Sequence, residues 1–423
     1  MIRLWRALYS IALHLLVPAA LLHLWWRGRR QPAYREHIGE RFGRYPPRPS
    51  GPIVWIHAVS VGETRAAQPL VKALRREFPD HRILFTHTTP TGRETGTQLY
   101  GDDVARVYLP YDLPGAVERF LDWYHPEFGL LMETELWPNL ARTARRRGIA
   151  LYLVNARMSE KSARGYARLG ALTRDTLRQL VAVAAQTHAD AQRLTHLGAR
   201  DVVVTGSLKF DVSPPESSAE LGERLRSLFS AERPVWIAAS TREGEEALVL
   251  DALERVTDAH ALLVLVPRHP QRFDEVASLL TARGIAFQRR SANEPVRSDT
   301  RVVLGDSMGE LFAYYRAGDL AFIGGSLLPL GGQNLIEACA VGVPVLIGTH
   351  TFNFAEATRL AVRAGAARIV GSPADLATAV SELLGDDYAR QRMARAALQF
   401  TQEHQGATAR VITLVTQTRP RPR

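Results

Sequence analysis

Apolar positions fall along the chain in three patterns. The first is a long, nearly uncharged run at the amino terminus. Leu4 to Trp26 spans 23 residues, and Arg6 is its only charged side chain. At ~1.5 Å per residue, a helix of that length reaches across a ~30 Å hydrocarbon core. Trp25 and Trp26 close the run, as interfacial aromatics do, and Arg27, Arg29, Arg30 and Arg35 follow. Arg3 and Arg6 alone charge the other flank, so the positive-inside bias places the long C-terminal body in the cytoplasm. Trp-Trp-Arg-Gly-Arg-Arg does not fit the small-residue site of a cleaved signal peptide. The run therefore reads as a membrane-spanning anchor. Pro18, His14 and His23 leave a helix lying in the interface as the alternative.

After an Arg/Pro-rich connector (31–52) comes the second pattern, short apolar and β-branched runs separated by helical stretches. Ile53–His57, Ile83–Thr86, Val104–Leu109, Phe128–Met132, Leu151–Val154, Val181–Ala185 and Val202–Thr205 read as buried parallel strands. Helices are expected between them, at Arg65–Glu77 and Ala116–Tyr124 for example. Asp211 to Arg233, rich in Ser, Pro and Glu, breaks the rhythm. The third pattern then repeats the second, at Val235–Ala239, Ala261–Val266, Ala286–Gln288, Val302–Leu304, Leu320–Ile323, Val343–Ile347 and Arg368–Val370. Two βα series imply an α/β chain with two Rossmann-like domains facing across a cleft. The expected boundaries are 1–30 for the anchor, 53–212 for the first domain, 213–233 for a linker and 234–423 for the second domain. The second domain would end in a terminal helix and a frayed basic tail at 418–423.

Composition narrows the class. The chain has 423 residues, 46% of them hydrophobic, which is enough for two cores. A formal charge of +10 calls for an anionic partner such as acidic lipid or a phosphorylated substrate. Nucleic acid is disfavoured, because no recognition motif accompanies the charge. The single cysteine, Cys339, excludes an internal disulfide and reads as core packing.

Candidate chemistry begins where the first strand meets the first helix, in Ile53-Val54-Trp55-Ile56-His57-Ala58-Val59-Ser60-Val61-Gly62-Glu63-Thr64. In an α/β unit, a glycine-rich turn usually receives a phosphate here. This turn has only Gly62, and Glu63 adds a negative charge that would repel phosphate. An acid at this spot suits a general base facing an acceptor hydroxyl. A first-turn acid held by the helix dipole is the plain alternative.

The phosphate cradle is expected in the second series. There Phe322-Ile323-Gly324-Gly325 ends a strand and Gly331-Gly332-Gln333-Asn334-Leu335-Ile336-Glu337 opens a helix. Gly331 and Gly332 would let backbone N–H groups approach an anion, and Glu337 could hold ribose hydroxyls. A tight turn before a helix is the alternative. Arg268 and His269, in Val266-Pro267-Arg268-His269-Pro270, and Met308-Gly309-Glu310 follow strands of the same domain and should converge there. Arg268 suits a phosphate; His269, between prolines, could merely shape its turn. No His/Cys/Asp cluster has metal-ligand spacing, so metal-free chemistry is the default.

Together these segments resemble the 3-deoxy-D-manno-octulosonic acid (Kdo) transferases of lipopolysaccharide assembly. The likeness spans nearly the whole chain: the anchor, Val59–Glu63, Glu133-Thr134-Glu135-Leu136-Trp137-Pro138-Asn139, Asn155-Ala156-Arg157-Met158-Ser159, Lys209-Phe210-Asp211, Pro267–Pro270 and the glycine-pair helix. Each motif is short; their order and spacing make the resemblance specific. It implies a glycosyltransferase B fold that moves Kdo from CMP-Kdo to a hydroxyl of a lipid A precursor, inverting the anomeric centre. The expected place is the cytoplasmic face of the inner membrane, against an anionic surface. It implies Glu63 as the base and Glu133 with Lys209 as a transition-state-supporting pair. CMP binding would fall to Arg268, His269, Met308, Gly309, Glu310, Asn334, Leu335, Ile336 and Glu337, beside the Gly331–Gly332 cradle. Gln333 stands where a His is common, Ser207 where an Asn is common, and Ala338-Cys339 where a Pro-containing pair is frequent.

Two other functions stay open at this level: a nucleotide-sugar epimerase of the same fold acting on a UDP-sugar, and a non-catalytic membrane-bound nucleotide or lipid sensor. Basic runs at Arg142, Arg145, Arg146 and Arg147, and at Arg157, Lys161, Arg164 and Arg168, read as solvated helix faces or as contacts to anionic lipid.

Overall fold

A computed structural model describes residues 2–230 and 232–419. The last residues of the expected basic tail, 420–423, lie outside the described residues. The chain forms two units. One comprises Met1–Asp211 with Gln405–Arg423, the other Val212–His404.

In the first unit, β1 (Ile53–His57), β2 (Arg82–His87), β3 (Val104–Tyr108), β4 (Phe128–Met132), β5 (Ala150–Ala156), β6 (Ala182–Ala185) and β7 (Val202–Val204) form one parallel sheet in the order β3-β2-β1-β4-β5-β6-β7. In the second, β8 (Val235–Thr241), β9 (Leu262–Pro267), β10 (Phe287–Arg289), β11 (Val302–Leu304), β12 (Leu320–Ile323), β13 (Val345–Ile347) and β14 (Ala367–Ile369) form another, in the order β10-β11-β9-β8-β12-β13-β14.

Burial on both faces explains the apolar runs. Alternate residues of β1 enter different cores: Val54 and Ile56 pack on one side of the sheet, Ile53 and Trp55 on the other. Trp55 is fully buried, and its indole N–H donates to Thr86 Oγ1 at 2.8 Å. It fits because β4 carries Gly129 opposite: a Cβ there would stand 2.5 Å from the Trp55 ring. In each unit the chain winds outward from one strand and then returns to its other side. β1 lies between β2 and β4, and β8 between β9 and β12. The loops leaving the carboxyl ends of such neighbours diverge, and that divergence makes the binding crevice of an open α/β sheet.

Several elements differ from the expected ones. The amino-terminal run is a helix, α1 (Ile2–Arg27), long and apolar enough by length and composition to cross a membrane. The connector holds two short 3-10 helices, Pro32–Arg35 and Ile38–Phe42. Their Glu40 is buried, receives the Tyr108 N–H at 2.7 Å and pairs with Arg93 at 2.6 Å. The expected helix at 65–77 is two, α2 (Val61–Ala66) and α3 (Gln68–Glu77), because Pro69 has no N–H to continue the ladder. The expected linker holds the helix Ser217–Phe229, which buries Leu225 and Phe229. The terminal helix Ala407–Thr418 belongs to the first unit, not the second. Its Ala407, Val411 and Val415 join the core under β1, and the Asp211 carboxylate accepts the N–H groups of Gly406 (2.6 Å) and Thr408.

The second unit is tied together at its centre by Glu245, a residue that no sequence motif singled out. This carboxylate is fully buried after β8 and accepts the backbone N–H groups of Gly325, Ser326 (2.9 Å) and Leu327 (3.0 Å) after β12. Burial raises its pKa, and those N–H bonds oppose the rise. Glu245→Ala would strand three buried donors. It should cost about 3 kcal/mol or more, since each such donor costs roughly 1–3 kcal/mol. Urea unfolding of the full chain would show it as a lowered midpoint of the second unit's transition.

Candidate active site

The turn after β1 is a capping box built on Ser60-Val61-Gly62-Glu63. The Ser60 side chain accepts the Glu63 N–H at the start of α2 and donates to Glu63 Oε1 at 3.0 Å. Glu63 Oε2 accepts the Val59 N–H at 2.8 Å. This is the helix-start role left open by the sequence, so the acid has a structural job and a fixed orientation. It also has an unusual charge state. Burial pushes its pKa from 4.5 up to about 7. Glu133 adds to the push; the Val59 N–H, His57 and Ser60 oppose it. A carboxyl poised there is half ionised near neutrality, where a general base works best.

Glu133 follows β4, the neighbour of β1, so these two acids meet at the switch point. Its backbone is left-handed (φ +57°), a strained choice for a residue other than Gly, Asn or Asp. Among the described residues its carboxylate has no hydrogen bond or ion pair. Glu135, by contrast, accepts the Trp137 indole N–H at 2.9 Å and stands 3.7 Å from His57 Nε2. Glu133 is thus the available member of the acid pair.

His57 was missed by the sequence reading. It is fully buried at the end of β1, its Nδ1 lies 3.0 Å from the Thr86 carbonyl, and its Nε2 makes no hydrogen bond among the described residues. The carbonyl holds the proton on Nδ1 and leaves Nε2 turned toward Glu135. A histidine closing a buried strand was the only signal that could have flagged it.

Lys209 comes from beyond the end of β7, at the far edge of the sheet from β1. A 3-10 turn, Leu208–Phe210, brings it back toward β5. There Asn155 sits in a bulge of β5 with φ +52°, and its Oδ1 accepts the Leu208 N–H at 3.1 Å. Ser207 accepts the Lys209 N–H at 3.4 Å, doing what an Asn at that position could do.

In the second unit the predicted binding residues gather at the carboxyl ends of β8, β9, β11 and β12. Arg268 follows β9 and donates its N–H to the Thr241 carbonyl at 2.9 Å, beside the β8 bulge where Ser240 has φ +57°. Partial burial and the guanidinium groups of Arg242, Arg268 and Arg272 hold the His269 pKa below its usual value, so the ring is neutral in a cationic setting. Arg272 is engaged by Glu246 (2.6 Å) and Glu275 (2.9 Å). Arg242 was not anticipated; it lies against Gly325, next to Gln333. Met308 and Gly309 are exposed after β11. Glu310 is turned inward to Ser307 (2.6 Å) and Arg290 (3.3 Å), which leaves the backbone of this loop as its binding surface.

The glycine pair differs from its expected role. Gly331 (φ +95°) and Gly332 (φ +72°) do not open the helix, because left-handed residues cannot continue into an α-helix. The helix is Ile336–Ala340. A Cβ on Gly331 would overlap the Asn353 side chain, so glycine is required for space as well. The N–H groups of Gly332 and Gln333 donate to the carbonyls of Gly325 (2.7 Å) and Gly324 (3.0 Å), tying the two glycine pairs together rather than facing an anion. Asn334, one residue before the Leu335 cap, accepts the Ile336 N–H at 3.1 Å and donates to Glu337 Oε1 at 3.0 Å. Leu335 and Ile336 are buried, so they can offer a ligand only backbone. Cys339 is core, and burial pushes its thiol up to about 12.

Comparison with known proteins fits this arrangement. Residues 36–212 match a family model described as 3-Deoxy-D-manno-octulosonic-acid transferase (kdotransferase). A 3-deoxy-D-manno-octulosonic acid transferase of Bordetella pertussis is 47% identical, over 96% of this chain and 98% of its own length. One from Haemophilus influenzae is 39% identical, over 97% of this chain and 98% of its own. Among solved structures, a UDP-GlcNAc 2-epimerase from Neisseria meningitidis superposes with a TM-score of 0.59 at 17% identity, covering 86% of this chain and 100% of that one. That likeness is one of fold. Close identity along almost the full length of two transferases decides the matter: the chain belongs to the 3-deoxy-D-manno-octulosonic acid transferase family of glycosyltransferases.

Proposed function

We propose that the chain moves Kdo from CMP-Kdo to a hydroxyl of a lipid A precursor, with inversion at the anomeric carbon. The observation that carries this reading is Glu63, a buried carboxyl raised to about 7 at the switch point of the first sheet, with Glu133 beside it. Glu63 takes the proton of the acceptor hydroxyl as that oxygen bonds to the anomeric carbon. The bond from that carbon to the CMP phosphate breaks, and CMP leaves with the electron pair. Glu133 and Lys209 support the charge that develops. Arg268 and Arg242 take the phosphate; the 308–310 backbone and Glu337 take the rest of the nucleotide. No metal is needed for these roles. The body works at the cytoplasmic face of the inner membrane, held there through α1 and its arginines.

Incubation with CMP-Kdo and a lipid A precursor, followed by mass analysis, should show addition of Kdo and release of CMP. Glu63→Gln should cut turnover by ~10²–10⁴-fold, the usual contribution of a general base, with CMP protection against thermal unfolding intact. Near-normal turnover by Glu63→Gln would sink the base assignment.

The pH profile gives a second test. The base must be ionised, and its pKa is raised, so activity should be full well above pH 7, about half at pH 7, and fall further as pH drops below it. Glu133→Gln removes a negative neighbour that pushes Glu63 up. Its acid limb should therefore move to lower pH even as its plateau falls; an unmoved limb would separate the two acids.

A further inference from the structure

α1 carries two opposed faces along its whole length. Arg6, Ser10, Leu13, Val17, Leu21 and Leu24, spaced three or four apart, form one protected stripe. That stripe is bonded to the first unit. Arg6 Nε donates to Asp175 at 2.9 Å, Tyr9 donates to Asp112 at 3.0 Å, and Ser10 exchanges a hydrogen bond with Asn139 at 3.1 Å. Asp112 is itself buried and accepts the N–H groups of Asn139 (2.9 Å) and Leu140 (2.8 Å), so the Tyr9 contact is part of the unit's interior. At the other end, Leu24 is buried and Arg35 donates to the Trp25 carbonyl at 3.0 Å. The opposite face is apolar and bare: Leu4, Leu8, Ile11, Leu15 and Leu22 are all exposed, Leu15 by 75%.

A helix of 26 residues is ~39 Å long. Were it to cross a ~30 Å hydrocarbon core, Arg6–Ser10 and Trp25 would lie in opposite leaflets of the membrane. Both are fastened to one folded unit, so crossing would tear the protected stripe away from it. Charge agrees. Arg3 lies close to Arg142, and Arg146 is beside Arg142, at one end of the helix; Arg27, Arg29 and Arg30 stand at the other. Cations at both ends match one anionic surface, not two sides of a bilayer. An open groove of about 470 Å³ lies beside the bare face, lined by Pro18, Leu21, Leu22, Trp25, Arg35 and Ile38, with apolar walls and one guanidinium.

We propose that α1 is an in-plane docking surface for an anionic phospholipid leaflet: its bare face sinks among the acyl chains, its other face stays on the first unit, and the helix does not cross. This rests on the reading of the chain as membrane-bound, and the experiment separates the two. In a full-length Cys339→Ser background, Arg3→Cys and Asp102→Cys would each be probed with a membrane-impermeant thiol reagent in sealed inverted vesicles. Leu15→Cys would carry a nitroxide in vesicles containing anionic lipid, with transfer activity confirming the fold of each variant. In-plane docking gives labelling of Arg3→Cys from the same side as Asp102→Cys, and a nitroxide ~5–10 Å below the phosphates. Labelling of Arg3→Cys only from the other side, with the nitroxide at the ~15 Å bilayer centre, would overturn the proposal and leave membrane binding intact. Failure of the full chain to bind anionic vesicles at all would overturn both.

Discussion

Burying Glu63 costs free energy, on the order of 3 kcal/mol for a carboxyl moved from 4.5 to about 7. The sign matters: the cost is absent below the ordinary carboxylate range and reaches its full value as pH rises well past about 7. Much of the first unit's local architecture serves to bear it. Ser60 and the Val59 N–H hold the carboxylate at the head of α2 and offset part of the cost, whereas Glu133, brought to the same corner because β1 and β4 are adjacent, adds to it. Glu133 accepts a left-handed backbone to reach that corner. Strain and desolvation are concentrated at this one corner, while the strands behind it are ordinary buried sheet.

Much of this was legible because buried parallel strands write themselves as apolar runs. Ile53–His57 and Phe128–Met132 came out with the observed bounds, since both faces of β1 and β4 are core. Glu63 was legible too, through its place at the strand-to-helix junction. What the sequence hid were residues whose role depends on another part of the chain. Glu245 looks like any first-turn acid, yet it binds N–H groups 80 residues away. His57 reads as the last residue of a strand, and its unpaired Nε2 shows only once β2 and the 133–137 loop are in place. Asn155 needed the bulge in β5 to reveal why an amide that tolerates left-handed backbone belongs there.

The glycine pairs show how a local motif can be right in place and different in detail. The loop after β12 does offer a row of N–H groups, as an anion site would. The protein fills that row with its own Glu245, and it uses Gly332 and Gln333 to strap the second glycine pair to the first. The result is a rigid platform rather than an open cradle. Beside it, at neighbouring strand ends, the guanidinium groups of Arg242 and Arg268 surround a neutral His269.

The terminal helix Ala407–Thr418 has a consequence for how the protein is made. Its apolar face completes the core beneath β1, and Asp211 caps it, yet the whole of the second unit lies between it and the rest of the first unit along the chain. The first unit therefore cannot close its core until the second has been made. In that interval it exposes a greasy seam where Ala407, Val411 and Val415 will lie, while the second unit, continuous in sequence, can already close. The order of folding is thus the reverse of the order of synthesis.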